Sequence, residues 1–407
     1  MKIHENKTKE QNLVLDKWTH NKYKGTWLAA TGCGKTLCGV RAIVNTIKEN
    51  PKANALVIVP TENLRDNEWY NEFVNWGCDQ YLNNVEISCI QTAYKYESRH
   101  YDIVIVDEVH MAVSPEYRNF FFKNKYERLL CLTATIDDEE KMQFITSIAP
   151  IIHITSIDRA LSLGLIANFI VYNLSVHLSD KSKSLYAALI KQYNEYERLL
   201  GGKFKAFSTA AAVIKQIKDI PKDLRTDEQK VMYQNACVFW GVMNRRKMFL
   251  YNLPEKISIT KDIINMFPDR KSIVFSESIK FATKLQQSIG STAVVYHSKM
   301  TKNQRVQTLK AFEIDESRVR TLCSVRALNV GLNVPEASLG IGASGNSKWL
   351  DQMQRNGRVA RYAENKLAIY VNLYAYDTQE VKWVFSRTKK LNSDNVRWIT
   401  KVDEIKF

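Results

Sequence analysis

Apolar residues along the chain fall into short continuous runs, each followed by a stretch in which apolar positions recur with helical spacing. Eight such runs lie at residues 26–31, 55–60, 101–108, 128–135, 271–276, 291–298, 318–325 and 367–374. Continuous apolar strands that alternate with helices are typical of parallel sheets covered by helices on both faces. The sequence therefore predicts an α/β fold.

The alternation of strands and helices lapses between about residues 179 and 260. That stretch has helical patterning, interrupted by a loop-like segment at residues 219–228. A chain of 407 residues is also longer than one ordinary domain. We therefore predict two α/β domains, residues 1–167 and residues 168–400, with a helical insertion at about residues 179–260.

The first motif with chemical content is AATGCGKT at residues 29–36, which follows a predicted strand and opens a predicted helix. In that context small residues let backbone N–H groups close around phosphate oxygens, and the helix N-terminus adds its dipole. Lys35 would reach the β- and γ-phosphates, and the Thr36 hydroxyl would bind Mg²⁺. Ala29 stands where the general phosphate-loop pattern has glycine. The other predicted nucleotide contacts of the loop are Thr31, Gly32, Cys33 and Gly34.

The second motif is an acidic pair, Asp107 and Glu108, at the end of the apolar run at residues 103–106. A carboxylate at the carboxyl end of a parallel strand lies where open α/β sheets bind their ligands. Asp107 would hold Mg²⁺, and Glu108 would orient and deprotonate an attacking water. An acidic strand end without a catalytic role is common in isolation, but here a phosphate loop precedes it.

Three arginines lie close together at residues 355, 358 and 361. Arg358 and Arg361 are three residues apart and therefore share a helix face. Such a cluster is usually a solvated surface. Arginines that a second domain brings onto a γ-phosphate can also stabilise the charge of the transition state.

These segments together resemble the superfamily 2 helicases, which are nucleic-acid motors with two RecA-like domains. The resemblance covers about residues 8–375. It implies a pair of RecA-like parallel-sheet domains in tandem, with the helical insertion between them. The motifs occur in the family's order, as motif I at residues 29–36, Ia at 59–64, Ib at 91–92, II at 107–110, III at 133–135, IV at 273–276, V at 327–335 and VI at 354–361.

The resemblance implies that ATP binds with Mg²⁺ between the two domains and is hydrolysed there. Lys35, Thr36, Asp107 and Glu108 would lie on one side of the nucleotide. The implied contacts from elsewhere in the chain are Gln354, Arg358 and Arg361 of motif VI, Gly331 and Asn333 of motif V, and Gln11, which is placed like the adenine-contacting glutamine of the family.

The resemblance also implies that nucleic acid lies across both domains, mostly through contacts with its backbone that do not read sequence. His110, Thr133 and Thr135 would couple the state of the nucleotide to domain closure. The implied nucleic-acid contacts are Pro60, Thr61, Gln91, Thr92, Ser276, His297, Thr321 and Ser324.

Details of the motifs are similar to one branch of the superfamily. The stretches at residues 64–76, 107–110 and 132–135 look more like the DNA-directed branch of UvsW-like, XPB-like and restriction-enzyme motors than like the DEAD-box RNA group. This implies a DNA partner, single-stranded or branched, and movement in the 3′→5′ direction. Asn329 and Asn333 depart from the family pattern, which often has acidic residues at these positions.

The charge distribution of the chain supports the prediction of a polyanionic partner. The net charge is +15, and it is uneven, because residues 1–150 carry 18 Lys and Arg against 20 Asp and Glu, whereas residues 151–407 carry 40 against 23. Within the helical insertion, residues 201–250 carry ten basic against four acidic residues. Its aromatic residues either contact nucleic acid or form the insertion's own core, and they are Tyr233, Phe239, Trp240 and Phe249.

Other functions are compatible with parts of the pattern. They are an RNA helicase, a translocase that anneals or branch-migrates strands, a P-loop ATPase that binds no nucleic acid, and an inactive structural clamp. The hydrophobic content of 45% excludes wholesale disorder, and no apolar run is long enough to cross a membrane. The seven scattered cysteines contain no C-x-x-C pair, which favours reduced thiols and a cytoplasmic location. Nothing in the pattern requires an oligomer.

Overall fold

The computed structural model describes residues 2–136, 138–314, 317–325, 337–345, 367–389 and 391–407. Within these residues the strands form two sheets, and every pair of neighbouring strands is parallel. The prediction of two parallel-sheet units is therefore confirmed.

The first sheet has six strands in the order β3-β2-β4-β5-β1-β6. Its inner strands are apolar runs buried on both faces, which is why they read as continuous hydrophobic segments. The strands are β1 (Lys24–Ala29), β2 (Ala55–Val59), β3 (Val85–Cys89), β4 (His100–Asp107), β5 (Lys125–Thr133) and β6 (Ile151–Thr155).

The second sheet has seven strands in the order β13-β7-β12-β11-β8-β10-β9. Each residue of β8 and β10 is buried, because helices cover both faces of this sheet as well. The strands are β7 (Asn168–Val176), β8 (Ser272–Ser276), β9 (Ala293–His297), β10 (Thr321–Val325), β11 (Leu339–Gly342), β12 (Leu367–Ala375) and β13 (Val396–Ile399).

The helices cover the two sheets and form the insertion. None of those in the described ranges is long and apolar enough to cross a membrane. The helices are α1 (Lys2–His20), α2 (Lys35–Glu49), α3 (Trp69–Asn75), α4 (Ile90–Ala93), α5 (Asn119–Lys123), α6 (Glu139–Ile148), α7 (Ile157–Ser162), α8 (Asp180–Leu199), α9 (Ala206–Ile217), α10 (Asp227–Tyr251), α11 (Pro254–Met266), α12 (Ile279–Ile289), α13 (Lys302–Glu313) and α14 (Glu380–Thr388).

The helical insertion has a core of its own. Helices α8, α9 and α10 follow β7 and bury a cluster that includes Leu200, Ala210, Val213 and Phe239. Tyr233 and Trp240 pack against this cluster, whereas Phe249 packs beside Tyr186 in a separate one. These four aromatic side chains therefore serve the packing of the insertion. The cluster also explains why the pattern here is helical without intervening strands.

A buried charge cluster anchors α1 to the first sheet. Glu10 accepts hydrogen bonds from His153 Nε2 at 2.8 Å, from the Thr155 hydroxyl at 2.7 Å, and from Arg159 Nε and Nη2, both at 2.9 Å. Burial would raise the pKa of Glu10, but the donors Arg159, Thr155 and His153 outweigh it and hold the pKa at about 2. The next residue along α1 is Gln11, so the cluster fixes the position of that side chain.

Replacement of the carboxylate tests this anchor. Glu10→Gln leaves Arg159 and His153 without their anionic partner and should lower the free energy of unfolding by about 3 kcal/mol at neutral pH. The unfolded carboxyl takes up its proton near pH 4.5 and the folded one near pH 2. Wild-type stabilisation should therefore be complete above pH 4.5 and disappear as the pH falls toward 2, which closes the gap between the two proteins. Thermal unfolding between pH 7 and pH 3 measures this.

The matched control is Glu5→Gln on the same helix. Glu5 forms an exposed pair with Lys9, so its loss should leave the unfolding temperature unchanged. A Glu10→Gln protein that is as stable as the Glu5→Gln protein at neutral pH would contradict the assignment of Glu10 as the anchor.

Candidate active site

The phosphate loop lies between β1 and α2, at the carboxyl edge of the first sheet. Gly34 caps α2 in the left-handed region, with φ 83° and ψ 36°. A Cβ atom at this position would lie 2.6 Å from Gln11 Nε2, so the position requires glycine on two counts. No side chain caps α2, and its first turn has no acidic residue. The helix N-terminus is thus available to an anion.

Gln11 is brought to this loop by α1. Its side chain is buried, donates to the Gly34 carbonyl oxygen at 3.0 Å and accepts from Arg41 Nη1 at 3.1 Å. Arg41 also bonds Asn12. The structure therefore places Gln11 beside the loop, as the resemblance implies, and its contact with adenine stays a prediction.

Within the loop, Lys35 Nζ donates to the Ala29 carbonyl oxygen at 3.0 Å. The Thr31 hydroxyl is buried and has no hydrogen-bond partner among the described residues, so it is an acceptor and donor that a ligand could satisfy. Burial raises the pKa of Cys33 to about 11, so this thiol stays protonated at neutral pH and contributes packing.

The acidic pair lies two strands from β1, at the end of β4. Asp107 is buried, and its two oxygens accept one bond each: Oδ1 from the Glu108 backbone N–H at 3.0 Å and Oδ2 from Trp69 Nε1 at 3.1 Å. Burial and the Glu108 carboxylate raise the pKa of Asp107 to about 7, against the opposing effect of Lys35. The site therefore places two carboxylates, Asp107 and Glu108, near one cation, Lys35.

Glu108 is held in a short network with motif III. Its backbone is left-handed, with φ 48°, and it leads directly into the turn that carries His110. The Thr133 hydroxyl lies 3.2 Å from Glu108 Oε2 and 2.8 Å from His110 Nδ1, and His110 Nδ1 lies 3.4 Å from Glu108 Oε2. Because a hydroxyl has one proton, Thr133 can donate to Glu108 while it accepts from His110. The Lys141 ammonium group holds the His110 carbonyl oxygen at 2.9 Å.

The residues present fit Mg²⁺ bound with a nucleotide. The Asp107 carboxylate and the Thr36 hydroxyl are oxygen donors, which Mg²⁺ prefers. No group of three or more His, Cys, Asp or Glu side chains in the described part of the chain could hold a metal alone. Mg²⁺ in nucleotide sites likewise uses one or two protein ligands and takes the rest from phosphates and water.

A cavity of about 320 Å³ opens beside the phosphate loop at the same edge of the sheet. Its lining includes Ala30 of the loop, Thr135 of motif III, Ile154 at the end of β6, and Asn392 and Asn395 before β13. The Thr135 hydroxyl is buried without a hydrogen-bond partner among the described residues. This edge therefore has room and an unsatisfied hydroxyl group beside the phosphate loop and motif III.

The predicted nucleic-acid contacts of the first sheet lie together. Pro60 and Thr61 follow β2, and Gln91 and Thr92 lie on α4 after β3. Because β2 and β3 are parallel neighbours, their carboxyl ends meet, and Gln91 Nε2 donates to the Pro60 carbonyl oxygen at 3.2 Å. Gln91 and Thr92 are exposed.

Three of the four predicted contacts of the second sheet also share a carboxyl edge. Ser276 and His297 end β8 and β9, and both are in register with Val325, the residue after Ser324 in β10. The Ser324 hydroxyl and His297 Nδ1 are buried without partners among the described residues. Thr321 lies at the opposite, amino end of β10, where its hydroxyl pairs with that of Ser272 at 2.9 Å. The structure therefore does not bring Thr321 to the edge shared by the other three.

The predicted residues of motifs V and VI lie outside the described residues. They are Gly331 and Asn333 of motif V and Gln354, Arg358 and Arg361 of motif VI. Their roles stay predictions.

Two contacts of the site were not expected from the sequence. Trp69 donates to Asp107, and Arg41 orients Gln11. The sequence does hint at the contact made by Trp69, through Gly39. A glycine inside a helix costs about 1 kcal/mol of stability and often marks a place where another part of the chain packs closely against the helix. A Cβ atom at Gly39 would lie 2.6 Å from the Trp69 ring.

Two protein families match parts of the chain. Residues 3–138 match the res subunit of type III restriction enzymes, and residues 255–363 match the helicase conserved C-terminal domain. The first match contains the phosphate loop and the acidic pair.

Relatives with assigned activities match as well. The chain is similar to a protein named DNA 3′-5′ translocase XPB2 from Sulfurisphaera tokodaii, with 23% identity over 378 residues that cover 90% of this chain and 80% of the relative. It is also similar to DNA 3′-5′ helicase XPB from Mycobacterium tuberculosis, with 24% identity over 43% of this chain and 30% of that protein.

Solved structures share the fold. The Hef helicase domain of Pyrococcus furiosus aligns with a TM-score of 0.56 and 15% identity, covering 93% of this chain and 97% of that one. Dbp5 of S. cerevisiae, bound to RNA and ADP BeF3, aligns with a TM-score of 0.61 and 13% identity, covering 97% and 90%. The predicted fold class, two RecA-like domains in tandem, is therefore confirmed, and the exact domain limits stay a prediction.

The fold, the phosphate loop and the acidic pair, together with these matches, define an ATP-hydrolysing enzyme of the helicase class. Together these matches support a superfamily 2 helicase that resembles the XPB-like and restriction-motor members.

The Glu108→Gln variant tests the water-activating role of this carboxylate. It should bind ATP as the wild type does and hydrolyse it at least 100-fold more slowly, because a positioned general base contributes 10² or more to the rate. Single-turnover hydrolysis and equilibrium ATP binding measure the two effects separately.

Glu116→Gln is the matched control, since Glu116 is an exposed carboxylate a few residues further along the chain. It should turn over at the wild-type rate. Normal turnover by Glu108→Gln would instead mean that another group activates the water.

Proposed function

We propose that the chain is an ATP-dependent DNA helicase or translocase that moves along or remodels DNA strands. The observation that carries this proposal is the meeting of Lys35, Asp107 and Glu108 at the carboxyl edge of a parallel sheet, linked through Thr133 to motif III. The predicted nucleic-acid contacts Thr61 and Gln91 lie at the same edge.

The chemistry follows from the groups in place. The N-terminus of α2 and Lys35 bind the phosphates, and Glu108 orients and deprotonates the attacking water. Mg²⁺, held through Thr36 and Asp107, would neutralise charge that develops on the phosphates. Gln354, Arg358 and Arg361 would stabilise the transition state from the second domain, as the resemblance implies.

DNA is the proposed polymer because both relatives described above are named for DNA 3′-5′ activity, and one of them matches 90% of this chain. The basic balance of residues 151–407 supports a polyanion as partner. We propose single-stranded or branched DNA as the substrate, 3′→5′ movement, a monomer as the working unit and a cytoplasmic site of action. An RNA helicase and a strand-annealing translocase are outcomes that the same assay separates.

The test is the steady-state rate of ATP hydrolysis without polymer and with single-stranded DNA, duplex DNA, forked DNA and single-stranded RNA. DNA should raise the rate at least tenfold and RNA should have little effect, because the proposed motor closes productively on DNA. Lys35→Ala is the blank, since it removes the group that binds the β- and γ-phosphates.

Each result has a defined meaning. Stimulation by RNA alone would move the chain to the RNA helicases. Turnover that depends on Lys35 but ignores every polymer would contradict a nucleic-acid motor. Turnover that survives Lys35→Ala would mean that the phosphate loop is misassigned.

The insertion offers a further contact for DNA. Its tip follows two glycines with left-handed backbone, Gly201 and Gly202, and presents Phe204 with 94% of its surface exposed between Lys203 and Lys205. An exposed aromatic ring flanked by cations suits stacking on a base of single-stranded DNA. We include this tip in the proposed DNA track.

Phe204→Ala should raise the concentration of single-stranded DNA that half-saturates ATP hydrolysis by roughly tenfold, because one base–aromatic stack contributes about 1–3 kcal/mol. The maximal rate should remain near the wild-type value. Phe122→Ala is the control, since Phe122 is 71% exposed on α5 of the first sheet unit. Equal half-saturating concentrations for the two variants would contradict a role for the tip in DNA binding.

A further inference from the structure

Trp69 occupies a position that packing alone does not explain. It is fully buried at the start of α3, against Gly39 of α2 and close to Ile105 of β4. A Cβ atom at Gly39 would lie 2.6 Å from the indole Cη2 and 3.3 Å from Ile105 Cγ2. Helix α2, which follows the phosphate loop, therefore has glycine at the position where the indole ring packs against it.

The polar end of the indole reaches the acidic pair. Nε1 donates to Asp107 Oδ2 at 3.1 Å, while Oδ1 accepts from the Glu108 backbone N–H at 3.0 Å. Two donors on two oxygens define the plane of a carboxylate, whereas one donor leaves it free to rotate about the Cβ–Cγ bond. The backbone donor belongs to the residue directly after Asp107, so Trp69 supplies the constraint that comes from another element of the fold.

The chain around Trp69 is built to hold it. A π-helical turn, Leu64–Glu68, comes directly before α3 and shifts the side chains that follow it relative to a regular helix. Leu64 and Phe73 are buried with Trp69, so the short helix is fixed on its inner face. Such turns are frequent at functional sites.

We propose that Trp69 is a positioning residue for Asp107, and that its indole N–H sets the carboxylate orientation used to hold Mg²⁺ with the nucleotide. The inference rests on the proposed magnesium role of Asp107. Phe in place of Trp69 keeps most of the buried ring and removes the donor.

The experiment measures ADP binding by titration calorimetry, with the full chain, in EDTA and in excess Mg²⁺. For the wild type, Mg²⁺ should tighten ADP binding. For Trp69→Phe, affinity in EDTA should stay within about twofold of wild type, and the gain from Mg²⁺ should fall by about tenfold, the size expected for one hydrogen bond to a charged group.

Trp18→Phe is the matched control. Trp18 is a buried tryptophan that donates to the Leu129 carbonyl oxygen at 2.9 Å, so the variant loses the same kind of bond away from the acidic pair. It should keep the wild-type gain from Mg²⁺. A Trp69→Phe protein that also keeps the full gain would overturn the proposal and make Trp69 a packing residue.

Two further outcomes are defined. If Trp69→Phe does not fold, Trp69→His and Trp69→Leu replace it, because both lose volume but only histidine retains a ring donor. A larger Mg²⁺ gain for the histidine variant would support the proposal, and equal gains would overturn it. Wild-type ADP binding that ignores Mg²⁺ would overturn the magnesium site itself and the role of Trp69 with it, whereas a defect confined to Trp69→Phe leaves that site intact.

Discussion

Two adjacent carboxylates lie at the carboxyl end of a parallel strand, Asp107 buried and Glu108 partly buried, and much of the surrounding structure stabilises this pair. Burial and mutual repulsion raise the pKa of Asp107 to about 7. Donors offset part of the cost: Trp69 and a backbone N–H serve Asp107, and Thr133 serves Glu108. Even with these donors, the site between the acidic pair and the phosphate loop has too little positive charge to balance the two carboxylates. A cation bound together with phosphates completes such a site, which is why the acidic pair and the loop form one functional unit.

The constraint extends outward through the elements that hold these donors in place. The loop needs glycine at Gly34 because the backbone there is left-handed, and the Gln11 side chain packs over it. Gln11 is positioned by the preceding residue, Glu10, which lies in a buried cluster with β6 and α7. A short stretch of chain, residues 61–69, connects the predicted nucleic-acid contacts to the acidic pair. Thr61 accepts from the Arg65 backbone at 3.2 Å, and four residues later Trp69 bonds Asp107. The predicted contacts with nucleotide and with DNA therefore lie at neighbouring strand ends of the same parallel sheet.

Much of the fold and of the nucleotide site could be predicted because their signals lie in contiguous residues. The eight apolar runs became strands, and the loop and the acidic pair lie where their strand ends require. Five strands were not predicted. Of these, β3, β6 and β13 are edge strands, β11 contains two glycines, and β7 carries a polar residue, Asn173, which bonds Asn372 of the neighbouring strand at 2.9 Å. The partners Trp69 and Arg41 depend on tertiary contacts that no local pattern encodes. The resemblance implies a nucleic-acid contact for both Thr321 and Ser324, but a strand places its two ends at opposite edges of the sheet.

We propose that hydrolysis at the Lys35, Asp107 and Glu108 site drives movement along DNA. Displacement of a triplex-forming third strand from duplex DNA tests it most directly, because a moving protein removes the third strand without having to separate the duplex. Displacement should require ATP and should begin later as the duplex arm between the loading site and the triplex is lengthened. ATP hydrolysis stimulated by DNA without displacement at any arm length would contradict it.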